Sequence, residues 1–334
     1  MNEEIYSDKE LQDNPDYTVD VIIPVYKPDS KFTQLIERLL KQYKRPERIL
    51  ILHTVEDHKD SSGPMDEKEK RIMDWAVNQS SDECKVDIFD INKSQFDHGG
   101  TRNYGASLSG ADIMLFMTQD AVPADTRLIQ SISDNFKNPK VAAAYARQLA
   151  TTKSGVIEQF TRKFNYPEES YVKTRDDLPK LGIKTYFCSN VCAAYRKTVY
   201  DSLGGFVKKT IFNEDMIMAA QIINAGYAIA YSAESRVYHS HSYTYIQQFK
   251  RNFDLAVSQK QYARYFSGVK SESEGMKLVK QTLKYLIDQK QYLLIPDLIL
   301  QSGFKYLGYI AGLNYERLPM DLVRRFSMNP SYWN

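Results

Sequence analysis

Short runs of apolar, often β-branched residues alternate with helical segments through the first half of this chain. The first run, VDVIIPVY, covers residues 19–26, and the second, RILILH, covers residues 48–53. Such continuous runs are typical of strands that are buried on both faces of a parallel sheet. The segment between them has apolar residues at helical spacing and begins at Asp29 or Ser30, either of which could cap a helix.

Further runs that predict strands follow along the chain. They cover residues 86–89, 112–117, 141–146, 191–195, 228–231 and 236–239. Strands that alternate with helices in this way form right-handed βαβ units and an open, mainly parallel sheet. The sequence therefore predicts an α/β fold of the Rossmann-like kind, with helices on both sides of the sheet. Ligands of such sheets bind beyond the carboxyl ends of the strands.

Composition divides the chain into three parts. Residues 1–17 are acidic and polar, and they predict a leader that lacks the apolar stretch of a signal peptide. Residues 18–244 predict the α/β domain, and residues 245–334 predict a helical extension. No apolar run is long enough to span a bilayer, so we expect a protein that is soluble or at most peripheral to a membrane.

Charge and cysteine content narrow the class of protein. The chain has 44 Lys and Arg against 42 Asp and Glu, which argues against nucleic-acid binding because such proteins show a basic excess. Its three cysteines have no metal-type spacing, and an odd, sparse count fits a reducing cytoplasm. The absence of a Walker loop and of G-x-G-x-x-G argues against a simple ATPase or dehydrogenase.

The first chemical signal is Asp120 in LFMTQDAVP. A carboxylate at the end of a buried strand is well placed to hold Mg²⁺ or Mn²⁺, which take oxygen ligands and share them with substrate phosphates. The alternative is that Asp120 caps the helix that starts near Pro123.

The second signal is the pair Glu214 and Asp215, which opens a helix after a GGF turn. A carboxylate here could act as a general base that accepts a proton from an attacking hydroxyl. The alternative is structural, since the helix macrodipole favours acids in a first turn without any further role.

The third signal is His239-Ser240-His241 at the end of a predicted strand. Alternation along a regular strand sends the two imidazoles to opposite faces, so both could not bind one metal ion. We therefore expect His239 to be the ligand and keep His241 as the alternative.

The fourth signal is FDHGGTRN, residues 96–103. Two glycines before a helix allow close backbone approach, and a helix N-terminus attracts phosphate or carboxylate. Arg102 could bond a phosphate or an acid of the site. The alternative is a tight turn with a buried arginine pair.

In their order along the chain, four features resemble the family 2 inverting glycosyltransferases of the GT-A fold. They are VIIPVY at the first strand, the strand that ends in Thr118-Gln119-Asp120, the GGF turn followed by Glu214 and Asp215, and the later strand that ends in histidine. The resemblance covers residues 18–242. Within that family, FDHGGTRN together with TQDA is similar to bacterial rhamnosyltransferases that use dTDP-L-rhamnose, in particular the group that builds streptococcal-type rhamnose polysaccharides. The order of the motifs is more specific than any one of them.

The resemblance implies a nucleotide site along the ends of the first two strands. Pro24 and Tyr26 would lie where the family's first strand meets the base, and Glu56 or Asp57 would hold the base. The donor-binding residues that it implies are Pro24, Tyr26, Glu56, Arg102 and Gln119.

The resemblance also implies a metal site and a base. Thr118-Gln119-Asp120 occupies the place of the family's Asp-x-Asp, with Thr118 where the first acid would stand. Mn²⁺ or Mg²⁺ would therefore be bound by Asp120 together with His239. Asp215 would be the catalytic base, with Glu214 beside it. One in-line displacement would then invert the anomeric carbon.

Partners follow from the same resemblance. The donor would be a nucleotide sugar, and the acceptor a carbohydrate or lipid-linked cell-wall polysaccharide at the cytoplasmic face of the plasma membrane. A nucleotidyltransferase and a non-catalytic sugar-binding scaffold are the alternatives. The apolar segment 292–313 predicts a helix that packs on the core or on a homodimer partner, or one that lies peripherally on the membrane.

Overall fold

The computed structural model describes residues 16–57, 67–241, 243–266 and 272–333. Nearly all of the predicted leader lies outside these ranges. The strands are β1 (Val19–Val25), β2 (Arg48–Val55), β3 (Lys85–Asn92), β4 (Ile113–Met117), β5 (Val122–Pro123), β6 (Val141–Leu149), β7 (Tyr171–Lys173), β8 (Cys192–Arg196) and β9 (Ala228–Tyr238). The longer helices of the first part are α1 (Ser30–Leu40), α2 (Glu67–Val77), α3 (His98–Leu108), α4 (Leu128–Ser133) and α5 (Val156–Asn165). They are followed by α6 (Leu178–Leu181), α7 (Lys197–Ser202), α8 (Glu214–Asn224), α9 (Tyr245–Gln261), α10 (Ala263–Phe266), α11 (Glu272–Asp288), α12 (Ile295–Leu313) and α13 (Met320–Phe326).

All these strands join one sheet, in the order β3-β2-β1-β4-β8-β6-β9-β5, with β7 paired to β9. Strands β3, β2, β1 and β4 are mutually parallel, as are β6 and β9. Strand β8 runs antiparallel between β4 and β6. The predicted α/β fold with a mainly parallel sheet is confirmed, and the antiparallel β8 turns it into a mixed sheet.

The apolar runs explain why the sheet is buried on both faces. In β1, Val21 and Ile23 pack into one core with α1, whereas Ile22 packs into the other core with α8. Both layers exclude water from β1, so the strand has no polar alternation. Asp29 caps α1 by accepting from the backbone N–H of Lys31, as expected for an acid at that position.

Strand β9 differs from the prediction of two short strands at 228–231 and 236–239. It is one strand, and its pairing with β6 shifts register between Ala146 and Arg147. The residues of β9 between Ser232 and Arg236 bulge out of the pairing, and the Ser232 and Ser235 hydroxyls bond each other within this bulge at 2.7 Å. The strand ends at Tyr238, so the two histidines that follow lie outside it.

Helices occupy most of the chain after Tyr245, where a helical extension was predicted. Helix α12 lies against α9 so closely that a Cβ at Gly308 would be 2.1 Å from the Phe249 carbonyl oxygen. On another side, Leu298 of α12 packs with Ile157 of α5 and thus with the α/β domain. Within the described residues, no helix combines the length and the apolarity needed to cross a bilayer.

Candidate active site

Asp120 lies in a turn directly after β4, where a parallel sheet places its ligands. The turn is fixed because the Thr118 N–H donates to the Val191 carbonyl at 3.1 Å. The Asp120 Oδ2 atom is 3.2 Å from His241 Nε2 and 3.6 Å from His239 Nε2. One ligand atom from each residue lies within 4.8 Å of the other two, so the three side chains could hold a metal ion together.

The convergence of the two histidines corrects the expectation that they face opposite sides. Their Nε2 atoms are 2.9 Å apart. The expectation assumed that the strand continues through them, but β9 ends at Tyr238, so alternation no longer governs their directions. His239 and His241 are therefore not exclusive alternatives in this geometry.

Gln148 of β6 orients His239. Its side-chain carbonyl lies 3.0 Å from His239 Nδ1 and also accepts from Arg162. Because an amide oxygen can only accept, Nδ1 carries the proton and Nε2 offers its lone pair towards Asp120. The Gln148 amide in turn donates to the Ser189 hydroxyl at 3.2 Å.

Both imidazoles are in the protonation state that a metal ligand needs. Burial lowers the pKa of His239 and of His241 below the ordinary value, against the opposing charge of Asp120. The two rings are consequently neutral at physiological pH and can each present a lone pair.

Asp215 and Glu214 begin α8, at a strained point of the backbone. The preceding Asn213 is left-handed, with φ of 65°, and its side chain donates to the Leu255 carbonyl of α9 at 3.2 Å. Left-handed non-glycine residues cost energy and cluster at functional sites. Asn213 thus ties the start of α8 to the C-terminal helices.

Glu214 points inward and pairs with Arg102. Arg102 Nη1 lies 3.2 Å from Glu214 Oε1, and it also donates to the His98 carbonyl within α3. Burial acts to raise the pKa of Glu214, but the charge of Arg102 and then of His98 leaves it below the ordinary value. Glu214 is therefore an ionised, buried carboxylate.

Asp215 is half-buried, unlike its neighbour. Its carboxylate accepts from the backbone N–H of Asn190 at 3.1 Å and of Met216 at 2.7 Å. Burial, and next the charge of Glu214, raise the pKa of Asp215 to about 7. A carboxyl group with that pKa can both take up and release a proton near neutral pH, as a general base must.

The loop of residues 189–191 links the two acidic sites. Asn190 donates its N–H to Asp215 and its amide to Glu214, while Tyr195 donates to its side-chain oxygen at 2.9 Å. The neighbours of Asn190 in the loop hold the other site, because Ser189 bonds Gln148 and Val191 bonds the turn of Asp120. Asp215 and the turn that carries Asp120 are thus anchored on two adjacent residues of one short loop, Asn190 and Val191.

The predicted base-binding residues meet at the end of β1. The Tyr26 hydroxyl donates to Glu56 Oε1 at 2.6 Å, and Lys93 bonds both residues. The Gln119 amide brackets the Tyr26 backbone, accepting from its N–H at 2.7 Å and donating to its carbonyl at 3.1 Å. Pro24 precedes them within β1, opposite Leu52 of β2. The Tyr26 ring, by contrast, remains partly exposed beside this cluster.

Arg251 of α9 is a residue that sequence reasoning did not place in the site. Its guanidinium carbon lies 5.1 Å from the Phe212 ring centroid and 4.8 Å from that of Tyr243. Tyr243 packs on His241. Burial lowers the pKa of His241, the charge of Asp120 opposes this, and the charge of Arg251 lowers it further. In the part of the chain that the structure describes, Arg251 forms no ion pair, so the site contains a fixed cation beside Tyr243 and His241.

Gln148, Asn190 and Lys93 were missed as well. Each acts through hydrogen bonds to residues distant in the chain, and none belongs to a motif that stands out in the sequence. Arg251 had a weak signal, since it lies in a segment of basic and aromatic residues. The rest had none.

The chain matches the family described as Glycosyl transferase family 2 over residues 20–204. It is 38% identical to the O-antigen chain rhamnosyltransferase RfbN of Salmonella typhimurium, over 95% of this chain and 96% of the relative. It is 37% identical to the O-antigen chain rhamnosyltransferase WbaN of Salmonella anatum, over 96% of each.

A solved structure shares the fold. The mannosyltransferase PcManGT from Pyrobaculum calidifontis, solved in complex with GDP-Man and Mn²⁺, superposes with a TM-score of 0.54 at 13% identity. The match covers 95% of this chain and 85% of that one. At this identity the likeness concerns the arrangement of the sheet and helices alone.

Proposed function

We propose, since this chain belongs to glycosyltransferase family 2, that it transfers L-rhamnose from dTDP-L-rhamnose to a hydroxyl of a lipid-linked cell-wall polysaccharide. The chain is a glycosyltransferase, and its rhamnosyltransferase relatives support rhamnose as the sugar. The observation that carries the proposal is one loop, residues 189–191, in which Asn190 bonds Asp215 and its neighbour Val191 bonds the turn of Asp120.

Asp120, His239 and His241 would hold a divalent cation. The fit rests on three ligand atoms that converge within 4.8 Å and on the Gln148 oxygen, which fixes the His239 tautomer. Two imidazoles and one carboxylate favour Mn²⁺ over Mg²⁺, because Mg²⁺ prefers oxygen ligands. When bound, the cation neutralises charge that grows on the departing diphosphate.

Asp215 would be the base of the transfer. With its pKa near 7, the carboxylate removes the proton from the acceptor hydroxyl as the oxygen attacks the anomeric carbon. The C–O bond to dTDP breaks as the new glycosidic bond forms on the opposite face. A β-linked donor therefore gives an α-linked rhamnose.

Buried Glu214 would assist without touching the substrate. Its charge is held beside Asp215 by Arg102, and it raises the pKa of the base. We therefore assign to Arg102 a positioning role through Glu214, and not direct contact with the donor as its principal task. Arg251 would stabilise the diphosphate, because its guanidinium packs on Phe212 and Tyr243 and forms no ion pair within the described residues.

The base of the nucleotide would lie against Tyr26. The partly exposed Tyr26 ring, with the Lys27 and Lys93 ammonium groups 5.1 Å and 5.3 Å from its centroid, would contact thymine, and Glu56 and Lys93 would offer an acceptor and a donor to the polar edge of the base. Gln119 would support this site from behind by fixing the Tyr26 backbone, and Pro24 by stiffening the end of β1. A lipid-linked acceptor would place the protein at the cytoplasmic face of the plasma membrane.

The test is incubation of the protein and Mn²⁺ with a panel of nucleotide sugars and a lipid-linked polysaccharide acceptor. The proposal expects dTDP release with dTDP-L-rhamnose and incorporation of rhamnose into the lipid fraction. Release of pyrophosphate would instead identify a nucleotidyltransferase. Binding of the donor without release of any nucleotide would identify a non-catalytic scaffold, and either result contradicts the proposal.

A further inference from the structure

The outward side of α12 and of the turn before it is apolar and exposed. Leu293 is 94% exposed, Ile299 63% and Tyr306 64%. We call this the outer α12 surface, and it consists of Leu293, Ile299, Leu300, Tyr306, Leu307 and Ile310. Within the helix, Ile299 and Tyr306 are seven residues apart, as are Leu300 and Leu307, and Ile310 follows three residues later. At helical periodicity these members lie along one side of α12, with the exposed Gly303 between them.

The opposite side of the helix already has its partner. Gly308 and Gly312 lie on the backbone of α9, where a Cβ at Gly312 would be 2.3 Å from the Phe253 carbonyl oxygen. Leu298 is buried against α5 and α11. The inner side of α12 thus covers the core. The outer α12 surface is an exposed apolar face that has no function in packing.

Charge distinguishes this part of the chain from the rest. Residues 245–334 contain 13 Lys and Arg against 7 Asp and Glu, whereas residues 1–244 contain 31 against 35. Exposed cations stand at both ends of α12, Lys290 before its first turn and Arg317 after its last. The excess positive charge of the chain therefore lies in the segment that carries the exposed apolar face, with one exposed cation beyond each end of α12.

The surface lies next to the candidate active site. Helix α5 packs on α12 through Ile157 and on α11 through the stacked rings of Phe160 and Tyr285. The same helix supplies Arg162, which bonds Gln148 behind the metal ligands. One helix thus separates the outer α12 surface from the site of transfer.

We propose that the outer α12 surface binds the surface of an anionic lipid bilayer. An apolar face rimmed by cations is the pattern of helices that lie in the headgroup region, with apolar side chains among the acyl chains and cations on lipid phosphates. A second copy of this chain fits less well, because a twofold contact would bring two positively charged surfaces together. The inference extends the proposed function, since it brings the site to a lipid-linked acceptor.

Flotation of the full-length protein with vesicles tests the inference, without donor or metal. Vesicles of phosphatidylglycerol and phosphatidylcholine should carry the protein, and vesicles of pure phosphatidylcholine should carry much less. Substitution of Leu293, Ile299 and Leu307 by Ser in one variant should reduce binding to the anionic vesicles at least about tenfold. These side chains are exposed, so circular dichroism should show an unchanged fold.

The matched control replaces two exposed hydrophobic residues of the α/β domain, Tyr43 and Val77, by Ser. This variant should float as the unmodified protein does. The inference is overturned if the unmodified protein does not float, or if the triple variant floats equally well. It is also overturned if light scattering without vesicles shows a dimer that the triple variant abolishes. Transfer is measured separately on a detergent-solubilised acceptor, so loss of transfer with normal flotation contradicts the proposed function alone.

Discussion

Arg102 Nη1 lies 3.2 Å from Glu214 Oε1, and both side chains are less than a tenth exposed. A buried ion pair of this kind contributes little net stability, because desolvation offsets the attraction between the charges. It does keep a full negative charge one residue away from Asp215. The pair is best explained by its effect on that carboxyl group, whose pKa burial and Glu214 raise.

The first prediction concerns the pH dependence of transfer. Asp215 must lose its proton to act as a base, so the rate should rise with pH with a midpoint near its pKa of about 7. Replacing Glu214 by Gln removes a neighbouring charge and lowers that pKa, so the midpoint should move to lower pH. Initial rates between about pH 5 and 9 measure it.

The control for this shift is Asp201→Asn, which removes a carboxylate that pairs with Lys197 on the surface. Its pH profile should match that of the unmodified enzyme. A Glu214→Gln profile that superposes on both, with reduced rates only, would show that the Arg102–Glu214 pair is structural.

The second prediction concerns metal affinity. In Gln148→Leu, His239 Nδ1 loses its acceptor, so the imidazole is no longer held with Nε2 towards Asp120. Loss of such an outer partner weakens metal binding about 10- to 100-fold. Mn²⁺ titration followed by electron paramagnetic resonance measures the Kd without turnover. Gln130→Leu, on α4, is the matched control, and equal Kd values for the two variants would refute the orienting role of Gln148. An unmodified protein that binds no Mn²⁺ would refute the metal site.

The third prediction concerns the start of α3. A Cβ at Gly99 would lie 1.9 Å from the Val207 carbonyl oxygen, so Gly99→Ala must separate α3 from the turn before α8. Overpacking of this kind costs about 1–3 kcal/mol in free energy of unfolding. At Gly110 no atom lies within 4 Å, so Gly110→Ala should leave stability nearly unchanged. Urea denaturation compares them, and equal midpoints would contradict the packing described.

Much of the fold could be predicted because its signals are local. Continuous apolar runs identified the buried strands, and Asp29 identified the start of α1. Gly226 follows the end of α8, and its φ of 87° is the left-handed conformation for which glycine is the usual residue after a helix. Each of these features is decided by a few neighbouring residues.

The site was harder to predict because its geometry is decided by contacts across the fold. His239 and His241 were expected on opposite faces, since the sequence did not reveal that β9 ends before them. Gln148 and Asn190 are polar residues in ordinary surroundings along the chain, and they become important only through the strands that the sheet brings beside them.

The most direct test of the account is the transfer rate of Asp215→Asn at saturating dTDP-L-rhamnose and Mn²⁺, with dTDP affinity measured in parallel. We expect the rate to fall about 10²- to 10⁴-fold while dTDP binding is unchanged, because the proposed role of Asp215 is to take the proton of the acceptor hydroxyl. The variant should be no less stable than the unmodified protein at about pH 8, since a raised pKa means that ionised Asp215 destabilises the fold above that pKa. Unimpaired transfer by a folded Asp215→Asn enzyme would contradict the account.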